Sequence, residues 1–237
     1  MKVAVIRFPG TNCDLDTYHV LRKVLRVPAD IIWHEEVDLT SYDAVVLPGG
    51  FSYGDHLRAG IIAAHSPAMQ QVKEAARDGK PVLGICNGFQ ILVEAKLLPG
   101  ALLRNTGLRF VCKWVNLRVD STRTAFTSGL KEGTILRMPI AHNEGRYFLD
   151  EKGTRELERK GQVVFRYVDD KGDATEEANP NGSLSNIAGV SNDVGNVVGL
   201  MPHPERASEK ILTPYGSSDG LAILGTFAKA MEVAVSR

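Results

Sequence analysis

The sequence predicts an α/β fold: an open, mainly parallel central sheet flanked by helices, with extra antiparallel strands in the C-terminal half. Short apolar runs alternate with helix-like stretches through the N-terminal half, which is typical of βα units. The runs at 44–47 and 81–85 are apolar without a break, as expected of parallel strands buried on both faces. Beyond about residue 107 strand-like segments predominate, and we expect them to extend the same sheet.

Each predicted element has a local reason. A first strand at 3–6 precedes a helix at 14–25, and strands at 31–33 and 44–47 follow. The helix that begins at Pro67 has proline in its first turn and apolar residues at three- and four-residue spacing, and Gly79 ends it. Later strands are predicted at 110–119, 134–140, 162–167, 187–191 and 197–201, with turns at 179–182 and 192–195 and a final helix at 219–235. The polar tract 169–183 is predicted to be a solvated hairpin, or else a mobile loop.

Composition limits the domain count and the partners. The chain has 237 residues, 43% of them apolar, which can supply a substantial core for one domain spanning 1–237. Lys and Arg total 28 and Asp and Glu total 28, so the formal net charge is zero. Without net positive charge there is no long-range field to draw the protein onto nucleic acid or an anionic membrane. A small neutral substrate or a protein partner is expected instead.

Cysteine usage and the N-terminus indicate the compartment. The three cysteines, at 13, 86 and 112, form no paired spacing, and an odd number argues against a secreted disulfide framework. The first residues do not resemble a signal peptide, and no apolar run approaches the roughly 20 residues that span a bilayer. We therefore expect a soluble protein in the reducing cytoplasm.

The segment around Cys86 has the pattern of a nucleophile elbow. It lies between an apolar strand and a helix-like stretch, with Gly84 two residues before the cysteine and Gly88 two after it. These two positions crowd one another in such a turn, so both tend to be glycine. The turn exposes the sulfur at a helix N-terminus, where the positive dipole end favours the thiolate. It also aims the backbone N–H of Asn87 at the oxygen of a bound carbonyl.

A second glycine pair, Gly49 and Gly50, also follows a buried strand and can present another backbone N–H to a developing oxyanion. By itself this pair is equally consistent with an ordinary turn after a strand. Cys86 has a comparable alternative, because most free cysteines are small buried apolar residues. The flanking glycines favour the nucleophile.

His203 and Glu205 are the predicted partners of the cysteine. A thiolate that attacks an amide needs an acid to protonate the leaving ammonia, and histidine titrates near neutrality. His203 follows a strand-like segment and stands between two prolines that keep the chain out of helix. In an extended chain, residues two apart point to the same side, so Glu205 could orient the His203 ring as the third member of a triad. Without Cys86, a rigid turn with solvated side chains would explain this segment equally well.

His142, at the end of another predicted strand, is the second candidate for contact with substrate. The other four histidines are expected to be surface or capping residues. Cysteines and histidines form no close pairs of the kind zinc sites use, and neither a P-loop nor a dinucleotide-binding glycine motif occurs. We therefore predict no metal and no cofactor on this chain.

The motifs also carry a family resemblance. Gly-Ile-Cys-Asn-Gly-Phe-Gln at 84–90 and Pro-His-Pro-Glu at 202–205 resemble the motifs of the class I, or triad, glutamine amidotransferases. Further matches lie at 8–14, 48–55, 57–60, 139–142, 144–147 and 177–183, so the resemblance covers essentially the whole chain. Within that family, the chain is most similar to the glutaminase subunits that serve purine biosynthesis.

The resemblance implies the flavodoxin-like fold of the class I family and hydrolysis of L-glutamine. Cys86 is implied as the nucleophile, and His203 and Glu205 complete its triad. Gly50 and Asn87 are implied as donors of the oxyanion-hole amides. Gln90 is implied to help hold the glutamine substrate.

The resemblance further implies partners that carry the acceptor chemistry. Ammonia would pass to a separate large synthetase subunit, which uses ATP and magnesium to convert formylglycinamide ribonucleotide to the amidine, and a small third subunit would join the complex. Two residues depart from the family pattern: His56, where tyrosine is common, and Asn143, where glycine is common. Asn143 raises the question of whether its loop needs a backbone conformation that favours glycine.

Two alternative functions stay open from the sequence. One is an amidotransferase for another acceptor, such as guanylate, anthranilate or carbamoyl phosphate synthesis; the extended purine-type motifs count against it. The other is a glutamine-sensing subunit that has lost turnover. The complete set of cysteine, histidine and glutamate counts against a sensor, which has no need of an activated thiol.

Overall fold

The computed structural model of the protein describes residues 2–235. Its strands are β1 (Val3–Arg7), β2 (Ala29–Trp33), β3 (Ala44–Leu47), β4 (Val82–Ile85), β5 (Ala101–Leu103), β6 (Val111–Val119), β7 (Ile135–His142), β8 (Arg146–Phe148), β9 (Val163–Val168), β10 (Ile187–Ser191) and β11 (Val197–Leu200). Its α-helices are α1 (Asp14–His19), α2 (Ile61–Ala64), α3 (Pro67–Arg77), α4 (Asn87–Glu94), α5 (Glu151–Arg159) and α6 (Gly220–Val235). A π-helical segment, Val20–Val24, continues α1.

Nine strands form one sheet in the order β2-β1-β3-β4-β11-β10-β9-β6-β7. The strands from β2 to β11 in this order pair in parallel. The strands from β10 to β7 are antiparallel. The predicted α/β fold, with a parallel sheet extended by antiparallel strands from the C-terminal half, is therefore confirmed. The strands β5 and β8 pair separately as a small antiparallel ribbon.

The core lies on both faces of the parallel strands. Every residue of β3 and β4 is buried, as their unbroken apolar runs predict. The helix α3 turns Met69, Val72 and Ala75 inward, at the spacing of one helix face. Among the described helices, none is both long and apolar enough to cross a membrane.

Several elements are absent from the sequence predictions because their pattern is weak. The strands β5 and β8 have three residues each, too few for a period to be detected. The helix α5 buries only Leu157, so it has no apolar stripe, although Asp150 caps it by accepting a hydrogen bond from the Gly153 amide at 2.7 Å. The prediction of a solvated hairpin at 169–183 is wrong for its second half. There Asn181 and Ser183 are buried, and the Asn181 side chain donates to the Gly145 carbonyl at 2.8 Å.

The sheet topology brings four loops to one edge. The chain leaves β1, β3, β4 and β11 at their carboxyl ends, and because these strands are parallel their following loops lie side by side. In open α/β sheets this edge is where ligands bind. The loops carry Cys13, Gly50, Cys86 and His203.

Candidate active site

Cys86 occupies a strained turn between β4 and α4. Its backbone φ is 50° and ψ is −104°, a conformation that residues with a side chain rarely adopt. A Cβ added to Gly84 would lie 2.7 Å from the Gly88 backbone, and one added to Gly88 would lie 1.9 Å from the Leu47 carbonyl oxygen. Both positions therefore require glycine, which is the steric reason for the predicted elbow.

His203 and Glu205 form a buried pair beside this turn. The His203 Nδ1 atom lies 2.6 Å from Glu205 Oε1, so Nδ1–H donates to the carboxylate. The other ring nitrogen, Nε2, is buried and has no hydrogen-bond partner among residues 2–235. Burial by itself lowers the pKa of His203, but the Glu205 carboxylate and the Cys86 sulfur together raise that pKa well above its ordinary value. The direction of this shift favours the cationic form of the imidazole.

The backbone between these two residues differs from the prediction. His203 is extended, but a 3-10 turn, Pro204–Ala207, begins directly after it and contains Glu205. The expectation that proline excludes helix fails here because proline is accepted in a first helical turn, where its missing N–H is not needed. The side chains of His203 and Glu205 meet as predicted, through a turn rather than an extended strand.

A cavity of about 130 Å³ joins the predicted groups. It is lined by Cys86, His203 and Gly50, together with Cys13, Ala141 and Phe110 among others. The Cys86 Sγ atom lies 3.7 Å from the Ala141 carbonyl oxygen at the cavity wall. The predicted nucleophile, the predicted acid and one predicted oxyanion donor thus face a single space.

A side chain joins the two segments that carry the predicted oxyanion amides. Thr11 and Gly50 form an antiparallel bridge whose hydrogen bonds run through the neighbouring residues, so the Gly50 N–H points away from Thr11. Asn87 begins α4, where the first amides of a helix have no partner within the helix. The Asn87 side chain accepts a hydrogen bond from the Ser52 amide at 3.1 Å, which links the Gly50 loop to the start of α4.

The Gln90 side chain is already engaged by the protein. Its amide nitrogen donates to the Glu144 carbonyl at 2.7 Å, and its oxygen accepts from the Asn87 side chain at 2.9 Å. Within the described chain it does not line the cavity around Cys86. Its predicted contact with glutamine stays a prediction, and the observed bonds show that it joins α4 to the loop after β7.

His142 lies at the end of β7, behind the cavity wall that Ala141 forms. Its Nδ1 atom is 3.2 Å from Asn105 Oδ1. Burial, reinforced by the charge of His203, lowers the pKa of His142 to about 4, so its ring is neutral near pH 7. Its predicted contact with substrate also stays a prediction.

Three further residues of the site or its surroundings were not identified from sequence. Cys13 is buried with its Sγ atom 3.9 Å from His203 Nδ1, and Arg206 Nη2 lies 3.1 Å from the same sulfur. Asp55 lies beside Asn87, and burial together with the charge of Glu144 raises the pKa of Asp55 to about 6. The position of Cys13 in the loop between the first strand and α1 was the available signal.

Two sequence expectations are changed by the structure. His34 was expected at the surface, but it is buried and stacks on Phe8 with ring centroids 5.6 Å apart. Asn143, where glycine was the expected residue, does not have a positive φ, so its loop needs no glycine conformation there. His56 is exposed.

Comparisons with known proteins show the family to which this chain is similar. A family model described as a CobB/CobQ-like glutamine amidotransferase domain matches residues 1–231. The phosphoribosylformylglycinamidine synthase subunit PurQ of Methanosarcina acetivorans is 58% identical over 228 residues, covering 96% of this chain and 97% of that protein. The PurQ subunit of Aquifex aeolicus is 58% identical over 223 residues, covering 94% and 97%.

A solved structure shows the same relationship in three dimensions. A chain in the structure of PurLQS from Thermotoga maritima superposes with a TM-score of 0.83 at 42% identity, over 96% of this chain and 97% of that one. The chain therefore belongs to the glutamine amidotransferase family, and within it to the PurQ subunits of phosphoribosylformylglycinamidine synthase.

Proposed function

We propose that this chain is the glutaminase subunit of phosphoribosylformylglycinamidine synthase. It hydrolyses L-glutamine to glutamate and ammonia, and it supplies the ammonia to a synthetase that makes formylglycinamidine ribonucleotide in purine biosynthesis. One observation carries the catalytic part: Cys86 stands on a strained elbow and shares its cavity with the buried His203–Glu205 pair. The sequence identity with PurQ subunits supports the proposal that the ammonia is used to make formylglycinamidine ribonucleotide.

The first half of the reaction forms a thioester. The Cys86 thiolate attacks the side-chain carbonyl carbon of glutamine, and a carbon–sulfur bond forms. The N–H groups of Gly50 and Asn87 hold the negative charge that develops on the carbonyl oxygen. As the carbon–nitrogen bond breaks, the His203 imidazolium gives its proton to the departing nitrogen, and ammonia leaves.

The second half restores the enzyme. Neutral His203 takes a proton from water, and the remaining hydroxide adds to the thioester carbon. The carbon–sulfur bond breaks, Cys86 returns as thiolate, and glutamate is released. Glu205 stays ionised throughout and stabilises the imidazolium each time it forms.

The acceptor chemistry belongs to partner subunits. The solved relative is part of an assembly named PurLQS. We propose equivalent partners here, a large synthetase subunit that binds ATP and magnesium and a small third subunit, with no cofactor on this chain. We also propose that the chain acts as one domain in the cytoplasm.

Reconstitution with the synthetase and the small subunit tests this function. Formylglycinamide ribonucleotide, ATP and magnesium are supplied with either glutamine or an ammonium salt, and amidine formation is measured. The chain should be required for synthesis from glutamine and dispensable for synthesis from ammonium. Its glutaminase rate should rise by at least about tenfold in the complex, which corresponds to a barrier lower by about 1.4 kcal/mol.

Different outcomes would contradict different parts of the proposal. If the synthetase made the amidine from glutamine without this chain, the proposed role of the chain as the ammonia source would be contradicted. Full glutaminase activity of the isolated chain would contradict obligate coupling. Stimulation by the synthetase of guanylate, anthranilate or carbamoyl phosphate formation, in place of the purine synthetase, would favour another acceptor.

A further inference from the structure

Three buried side chains form a compact group that the residue spacing of the chain does not reveal. Cys13, His203 and Glu205 place one ligand atom each within 4.8 Å of one another. The Cys13 Sγ atom is 3.9 Å from His203 Nδ1, which is 2.6 Å from Glu205 Oε1. Neighbouring ligand atoms around a tetrahedral zinc ion are about 3.3–3.6 Å apart. These two separations lie on either side of this range, and the third is at most 4.8 Å. Side-chain shifts of about 1 Å would therefore give the tetrahedral geometry.

The donor set also suits zinc chemically. Sulfur, imidazole nitrogen and carboxylate oxygen are the three ligand types that zinc takes in proteins. One thiolate and one carboxylate together balance the charge of a divalent cation. The second carboxylate oxygen of Glu205, Oε2, is buried and has no hydrogen-bond partner among residues 2–235, which leaves it free to accept a cation.

The group is connected to the substrate cavity and to a positive side chain. Cys13 and His203 both line the cavity that contains Cys86, so an ion that enters by this route reaches them. The Arg206 guanidinium lies 3.1 Å from the Cys13 sulfur. Burial raises the pKa of the Cys13 thiol, so zinc binds here by displacing the thiol proton.

We propose that Cys13, His203 and Glu205 form an inhibitory binding site for zinc. A zinc ion on His203 Nδ1 replaces the hydrogen bond to Glu205 and confines the ring proton to Nε2. The imidazole then has no nitrogen left to accept a second proton, and it cannot shuttle protons for Cys86. Binding of the metal rests only on these side chains, whereas its inhibitory effect rests on the proposed glutaminase function.

Cobalt spectroscopy of the full chain tests the site without using activity. Cobalt(II) in place of zinc should give a near-ultraviolet sulfur-to-cobalt charge-transfer band that saturates at one ion per chain, and added zinc should abolish it. Cys13→Ser should remove the band. Cys86→Ser and Cys112→Ser should keep it, because Cys86 is not one of the three ligands and Cys112 is exposed. Any other pattern among these cysteine variants overturns the site.

A second variant keeps the test independent of the cysteines. Glu205→Gln keeps the size of the side chain and removes its charge, and we expect it to weaken zinc binding by at least about tenfold. Thermal unfolding of each variant shows whether it is folded. A folded Glu205→Gln protein with unchanged zinc affinity would contradict the three-residue site.

The inhibitory consequence is measured on the reconstituted complex. Zinc should inhibit glutamine-driven synthesis and leave ammonium-driven synthesis intact, and chelation should reverse the inhibition. The zinc concentration for half inhibition should be unchanged in Cys112→Ser and at least about tenfold higher in Cys13→Ser. Equal sensitivity of these two variants would show that zinc acts elsewhere.

Discussion

Replacing Cys86 with alanine should lower glutamine hydrolysis by about 10⁴-fold or more, the scale on which hydrolytic enzymes lose activity without their nucleophile. The thioester cannot form without the sulfur, and water in the cavity is a far weaker nucleophile. The side chain is small and alanine fits the same space, so the fold should be retained. The measurement is the rate of glutamate release by the reconstituted complex.

Two controls make the cysteine result specific. Cys112→Ala removes an exposed thiol and should leave the rate unchanged. Ammonium-driven synthesis by the Cys86→Ala complex should continue, because the synthetase does not need the glutaminase chemistry. A Cys86→Ala protein that hydrolyses glutamine within about tenfold of the natural rate would be incompatible with a cysteine nucleophile.

Replacing Glu205 with glutamine should lower glutamine turnover by about 10³–10⁴-fold. The amide has nearly the size of the carboxylate, but it carries no charge to stabilise the His203 imidazolium. Its NH2 group can also donate to Nδ1, which would favour the wrong tautomer of the ring. The buried imidazole would then stay neutral and could not protonate the leaving ammonia.

The same variant has a defined signature in its pH dependence. The Glu205 carboxylate raises the pKa of His203, so the imidazolium of the natural protein persists to higher pH. Without that carboxylate the pKa of His203 falls, and the alkaline limb of kcat/KM should move to lower pH. Glu209→Gln is the matched control: Glu209 pairs with His19 at 2.8 Å on the surface and should shift neither rate nor limb. If the alkaline limb of kcat/KM were unchanged in Glu205→Gln, the proposed electrostatic role of Glu205 would be contradicted.

The Cys86 turn was predictable because its cause is local. A strand and a helix joined by one residue bring the positions two before and two after the cysteine into contact, and only glycine fits both. The buried strands were predictable for a similar reason, since continuous apolar runs such as 44–47 indicate a strand that is buried on both faces.

The surroundings of the triad were less predictable because they depend on tertiary contacts. Cys13 and His203 are 190 residues apart and meet only because β1 and β11 lie in the same parallel part of the sheet. The bonds of Gln90 to Asn87 and Glu144 likewise join a helix to a distant loop. No residue pattern within one segment of the sequence indicates such contacts.

The most direct test of the account is the covalent state of Cys86. The reconstituted complex is treated with an electrophilic glutamine analogue, and its peptides are analysed by mass spectrometry. We predict one analogue per chain on the peptide that contains Cys86, loss of glutamine-driven synthesis in step with labelling, and protection by L-glutamine. A complex that loses its activity with the analogue on Cys13 or Cys112, or that turns over glutamine and leaves Cys86 unlabelled, would contradict the assignment of the nucleophile.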